Sequence, residues 1–135
     1  MALTRALDDG DLGAAGRLLG PECECVDGAS RARGAEAVLA VYRAAASWAE
    51  RGFDDVRHSS TVESTSDGHA RAVVTTVLMR VPGRWHRLLH VREISVDPRG
   101  RIVKIAHSCE AAPSAAFRAF ARECGAAPPP PGYGA

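Results

Sequence analysis

Three turn signals in the C-terminal half constrain this chain more than any other feature of it. Ser66-Asp67-Gly68, Pro82-Gly83 and Asp97-Pro98-Arg99-Gly100 cut residues 53 to 110 into four stretches. Gly supplies the left-handed backbone that tight turns need, Asp bonds its own backbone, and Pro fixes φ and ends strand pairing. The stretches between them, Asp55–Ser64, Ala70–Val81, Trp85–Asp97 and Arg101–Glu110, carry much of the chain's Val, Ile and Thr and read as strands. Strands joined by successive tight turns form an antiparallel meander.

Upstream, the period changes. Leu3, Leu7, Leu12, Ala15, Leu18 and Leu19 recur at helical spacing, broken at Gly10, where Asp11 is placed to cap a second helical segment. Gly20-Pro21 should end the helical region. Glu22–Asp27 alternates and reads as a short strand, with a turn and a second short strand over Gly28–Arg33. A long helix is expected over Ala35–Glu50, because Val38, Val41, Tyr42, Ala45, Trp48 and Ala49 form one stripe and Gly52 stops it. A last helix, Ser114–Cys124, is expected to start on a Ser cap after Pro113, with Phe117, Phe120, Ala121 and Cys124 on one side. Pro128 to Pro131 can enter neither helix nor central strand, so residues 126–135 should form a Pro/Gly-rich flexible tail. The expected organisation is a single domain over residues 1–125. Its class is α+β, helices on one face of an antiparallel sheet.

Composition excludes several functions. The net charge is +1 and Lys104 is the only lysine, so the clustered basic surface of a nucleic-acid binder is missing. No stretch approaches the roughly 18 apolar residues of a membrane span. Arg5, Asp8, Asp9 and Asp11 interrupt any secretory signal, and a cytoplasmic location is expected. Cys23, Cys25, Cys109 and Cys124 are then reduced thiols, and Cys23-x-Cys25 without a second pair is not a zinc motif. No metal is expected, although His107, Cys109, Cys25 and His90 are suitable ligand types.

The element order resembles the nuclear-transport-factor-2-like (SnoaL-like) superfamily, which includes ketosteroid isomerase, scytalone dehydratase, limonene epoxide hydrolase and polyketide cyclases. Three patterns carry the resemblance: Asp8-Asp9-Gly10-Asp11-Leu12 with Leu18-Leu19 and Pro21; Arg33-Gly34-x-Glu36-Ala37-Val38; and Val96-Asp97-Pro98-Arg99-Gly100-Arg101-Ile102-Val103. The resemblance implies a curved antiparallel sheet wrapped around N-terminal helices as a cystatin-like cone, with an extra C-terminal helix. It also implies an apolar small-molecule partner, cofactor-free acid/base chemistry (isomerase, cyclase, dehydratase or hydrolase), and a homodimer paired through the convex sheet face. A non-catalytic ligand-binding or dimerisation module is the alternative.

The same resemblance sets the strand register. Counting back from Val96, it turns Ile94, Arg92, His90, Leu88 and His86 inward, together with Ile105, His107 and Cys109 on the last strand; a slip of one residue would exchange the faces. Asp27 matches the position of the family's polar acid or base, with Cys25 a rival. The implied catalytic residues are Asp27, His90 and His107, since imidazole titrates near neutrality and is the commonest acid/base group. The implied ligand contacts are Tyr42, Trp48, Leu88, Arg92, Ile94, Ile105 and Cys109. The chain departs from ketosteroid isomerase in two places. Its first helix has no tyrosine, and Arg92 stands where that enzyme's second carboxyl would be. Arg92, if buried, needs an anion: Asp27, Glu110 or a ligand.

Overall fold

The computed structural model describes residues 2–134. The helices are α1 (Ala2–Asp8), α2 (Leu12–Leu18), α3 (Ala35–Gly52) and α4 (Ala111–Glu123). The strands are β1 (Leu19–Asp27), β2 (Ser30–Arg33), β3 (Asp55–Ser66), β4 (His69–Arg80), β5 (Arg84–Val96) and β6 (Ile102–Ser108). They form one sheet in the order β2-β1-β6-β5-β4-β3. Every neighbouring pair is antiparallel except β1 with β6, which run parallel. The sheet is curved and unclosed, and the helices fill its concave side. This is the helix-filled α+β cone that was expected.

Local chemistry explains the boundaries. The Asp11 carboxylate accepts the Ala14 amide at 2.9 Å and starts α2. Gly34 has φ +94°, a conformation L side chains rarely adopt, and so turns the chain from β2 into α3. Asp97 Oδ1 accepts the amides of Arg99 and Arg101, both at 2.9 Å, and closes the β5–β6 turn. Two expectations are corrected. The helical region ends ahead of Gly20-Pro21, at Leu18, but the strand starts at Leu19 rather than Glu22, so Gly20 and Pro21 lie inside β1, at its register shift against β6. Ser114 does not cap α4, which begins at Ala111; Pro113 falls in the first turn, where helical amides have no partner anyway.

Two apolar clusters hold α3 to the sheet. The aliphatic one joins Leu3, Ala15 and Val38 to Ile94, Ile102 and Ile105. The aromatic one joins Trp48, Phe53 and Phe117 to Leu78, Leu88 and Tyr133. Tyr133 belongs to the segment expected to be a flexible tail. Residues 126–134 form no helix or strand, as four prolines dictate, yet they lie against the body. Trp48 Nε1 donates to Ala127 O at 2.8 Å, Tyr133 Oη donates to Ala45 O at 3.2 Å, and the Tyr133 ring meets Trp48 and Phe117 edge-on or tilted. Gly134 passes so close to β6 that an added Cβ would sit 2.8 Å from Ser108 O. Ala135, the end of that tail, lies outside the described residues.

Candidate functional site

Sheet register brings the polar residues together. In β5, burial alternates so that Leu88, His90, Arg92 and Ile94 face inward while Trp85, Arg87 and Leu89 face out. Ala72 of β4 pairs with Arg92, Arg92 with His107 of β6, and His107 with Asp27 of β1. One row thus crosses four strands, and the small Ala72 leaves room beside the Arg92 side chain. One step along, Val74 pairs with His90, and beyond it His58 of β3 pairs with Thr76.

Between this surface and α3 lies a cavity of ≈ 430 Å³. Tyr42, His58, Val74, His90 and Arg92 line its interior, and Gly132 and Tyr133 of the tail close one side. Asp8, Asp9, Glu50, Asp54 and Asp55 also border it. His58 Nδ1 is 2.9 Å from Thr76 Oγ1, and Tyr42 Oη is 2.7 Å from His107 Nε2. Tyr42 Oη also lies 3.9 Å from Cys25 Sγ. The Asp27 carboxylate accepts the amides of Gly132 and Gly134. By contrast, both ring nitrogens of His90, Nε and Nη1 of Arg92, and Nδ1 of His107 are buried with no hydrogen-bond partner.

The electrostatics follow from burial. Burial, then the Arg92 guanidinium and His58, pulls the His90 imidazole down to about 3. Burial, then Arg92 and His90, holds His107 well below its ordinary 6.5. His58 is also lowered, chiefly by burial. Burial pushes Tyr42 well up and Cys25 up to about 11. At neutral pH the imidazoles, phenol and thiol are therefore uncharged, while guanidinium keeps its proton.

The ten residues expected at the site separate into three groups. Tyr42, His90 and Arg92 line the cavity. His107 stands directly behind Tyr42, and Asp27 is bound to the tail. Trp48, Leu88, Ile94 and Ile105 lie behind the wall in the two apolar clusters, and half-buried Cys109 donates its thiol to Leu89 O at 3.4 Å. These five are packing residues rather than lining. Among the described residues no group of three or more His, Cys, Asp or Glu side chains is placed to hold a metal ion. His58 and Tyr133 were not anticipated. For His58 the signal was present, an inward position by period two on an expected strand; for Tyr133 no local signal exists.

No protein-family model matches the chain, and no curated protein matches it in sequence. Solved structures do match. TerC co-crystallised with polyporic acid aligns with TM-score 0.68 at 11% identity, over 90% of this chain and 93% of that one. A nuclear-transport-factor-2-like protein from Cytophaga hutchinsonii aligns with TM-score 0.64 at 12% identity, over 80% and 93%. A protein from Catenulispora acidiphila with a ketosteroid isomerase-like fold, in complex with trimethylamine, aligns with TM-score 0.63 at 12% identity, over 82% and 83%. At these identities the likeness shows the fold, which hosts small-molecule sites.

Proposed function

We propose that this chain holds a small, mostly apolar molecule in the cone cavity and moves a proton on it without a cofactor, in an isomerisation, cyclisation, dehydration or hydrolysis. The observation that carries this reading is His90. Its ring is buried at the cavity wall with neither nitrogen satisfied, and a buried polar group without a partner is costly. A bound molecule would supply the partner. Neutral His90 faces the ligand as proton acceptor and donor once a bound anion offsets the Arg92 charge that helps hold its imidazole down. His107 positions Tyr42 from behind. Asp27, expected as an acid or base, here anchors the tail. Two structural neighbours crystallised with small organic molecules support the general reading.

Proton transfer leaves an isotopic record. Small ketones and enols that bind should exchange the hydrogen next to their carbonyl for deuterium faster with the protein in D2O, as seen by NMR, and His90→Ala should remove the acceleration. Binding without exchange in any compound would leave the non-catalytic reading. That reading draws on one observation: Asp27 and His107 already have partners.

A homodimer through the convex sheet face is proposed as well. Trp85 is 65%, Leu89 47% and Met79 43% exposed, and α4 packs on the concave side, leaving them uncovered among the described residues. Leu89→Glu with Val77→Glu should convert a sedimenting dimer to a monomer. A wild-type monomer at tens of micromolar would refute the pairing.

A further inference from the structure

We infer that the ligand of this cavity is an organic carboxylate with an apolar body, its charge paired with Arg92. The inference rests on the small-molecule reading above and narrows it to a chemical class.

Arg92 is 5% exposed, and it forms no ion pair or hydrogen bond with any described residue. A histidine in such a place escapes the cost of burial by giving up its proton, as His90 and His107 do. Arginine has no such escape, because guanidinium stays charged throughout the accessible pH range. An ionised side chain taken out of water needs a countercharge. The groups around it do not supply one. His90, His107, His58 and Tyr42 are neutral, and the Asp27 carboxylate is engaged by the tail amides. Of the five acids at the border none pairs with Arg92, and three are engaged elsewhere: Asp8 accepts from Ser60 at 2.8 Å, Asp54 from the Val81 amide at 2.8 Å, and Asp55 pairs with Arg57 at 3.0 Å. The cavity interior therefore offers one fixed positive charge, with the Nε and Nη1 donors of Arg92 unpartnered.

The rest of the wall selects the body of the ligand. Ala45, Ala49, Phe53, Val56 and Val74 present carbon to the same space. A cation would be repelled by Arg92, and a neutral apolar molecule would leave its donors dry. An apolar carboxylate satisfies both surfaces at once. The border acids then disfavour entry of polyanions, so one negative charge fits best.

Matched triplets test this: acid, primary amide and amine on the same apolar body, across a panel of aryl and alkyl bodies, titrated calorimetrically into the full chain. For any body that binds, the acid should bind roughly 10- to 100-fold tighter than its amide, as a charge-assisted pair does, and the amine should not bind. Arg92→Gln should erase the acid's advantage. Because Arg92 is an uncompensated charge in the empty protein, Arg92→Met should melt at or above the wild-type temperature without ligand, and should lose the stabilisation that the acid confers. Amides or amines that bind as well as acids overturn the carboxylate assignment while leaving a small-molecule site standing. A large loss of stability in ligand-free Arg92→Met overturns it as well, since Arg92 would then be a structural ion. If no member of any triplet binds, the small-molecule reading falls and this inference with it.

Discussion

The two apolar clusters on either side of the cavity are built differently, and the difference shows what local sequence can specify. The aliphatic cluster takes its members from α1, α2, α3, β1 and the β5–β6 hairpin, elements whose inward faces follow from period 3.6 or period 2. The aromatic cluster takes Trp48 from α3 and Phe117 from α4 but is completed by Tyr133, beyond a proline run with no period at all. One cluster is a consequence of patterning. The other depends on where an irregular segment comes to rest.

Perturbing each cluster should sharpen that contrast. Ile105→Ala removes a fully buried side chain at the centre of the aliphatic cluster and should cost about 2–5 kcal/mol by denaturant unfolding. Deleting residues 126–135 should cost less, about 1.5–3 kcal/mol, because chiefly the Tyr133 ring leaves the aromatic cluster. The truncated protein should melt roughly 5–10 °C lower. No change in melting temperature would mean that the tail contributes nothing to that cluster.

Acid separates the polar row from both clusters. His90 titrates near 6.5 when unfolded and near 3 when folded, so between these values the unfolded chain binds the extra proton. Stability is full above about 6.5 and falls as pH drops toward 3, by about 1.4 kcal/mol per pH unit for each such histidine. His90→Leu should flatten the dependence of melting temperature on pH between 7 and 5; an unaltered slope would show that His90 is not buried neutral. The smallest effect is expected on the convex face. Arg71 bridges Glu63 and Glu93 at 2.9 and 2.8 Å on the surface, and Arg71→Ala should shift the melting temperature least of these variants, and less still in high salt.

What could be read beforehand follows the same division. The turns at Gly68, Gly83 and Gly100 bound the meander, and alternation along β5, in the register that the family resemblance implied, placed His90 and Arg92 on the concave side. Tyr42 followed from the α3 stripe. Trp48, Leu88, Ile94 and Ile105 face inward as expected yet stop short of the cavity, because a helix stripe or strand face specifies direction and not depth. The Asp27 contacts with Gly132 and Gly134 join residues more than a hundred positions apart through backbone amides, and amides carry no side-chain signature.

The parallel pairing of β1 with β6 has a consequence for how the molecule is assembled. Hairpins between β3, β4 and β5 close short loops and can form early, whereas Asp27 meets His107 only when nearly the whole intervening chain has been enclosed. The row that crosses the sheet through Ala72, Arg92, His107 and Asp27 should therefore be completed after the rate-limiting step. Substitutions at Cys25 or Asp27 should speed unfolding far more than they slow folding, and those at Val74 or Leu88 should do the reverse. The meander should form the nucleus, and the polar row should be finished on it last.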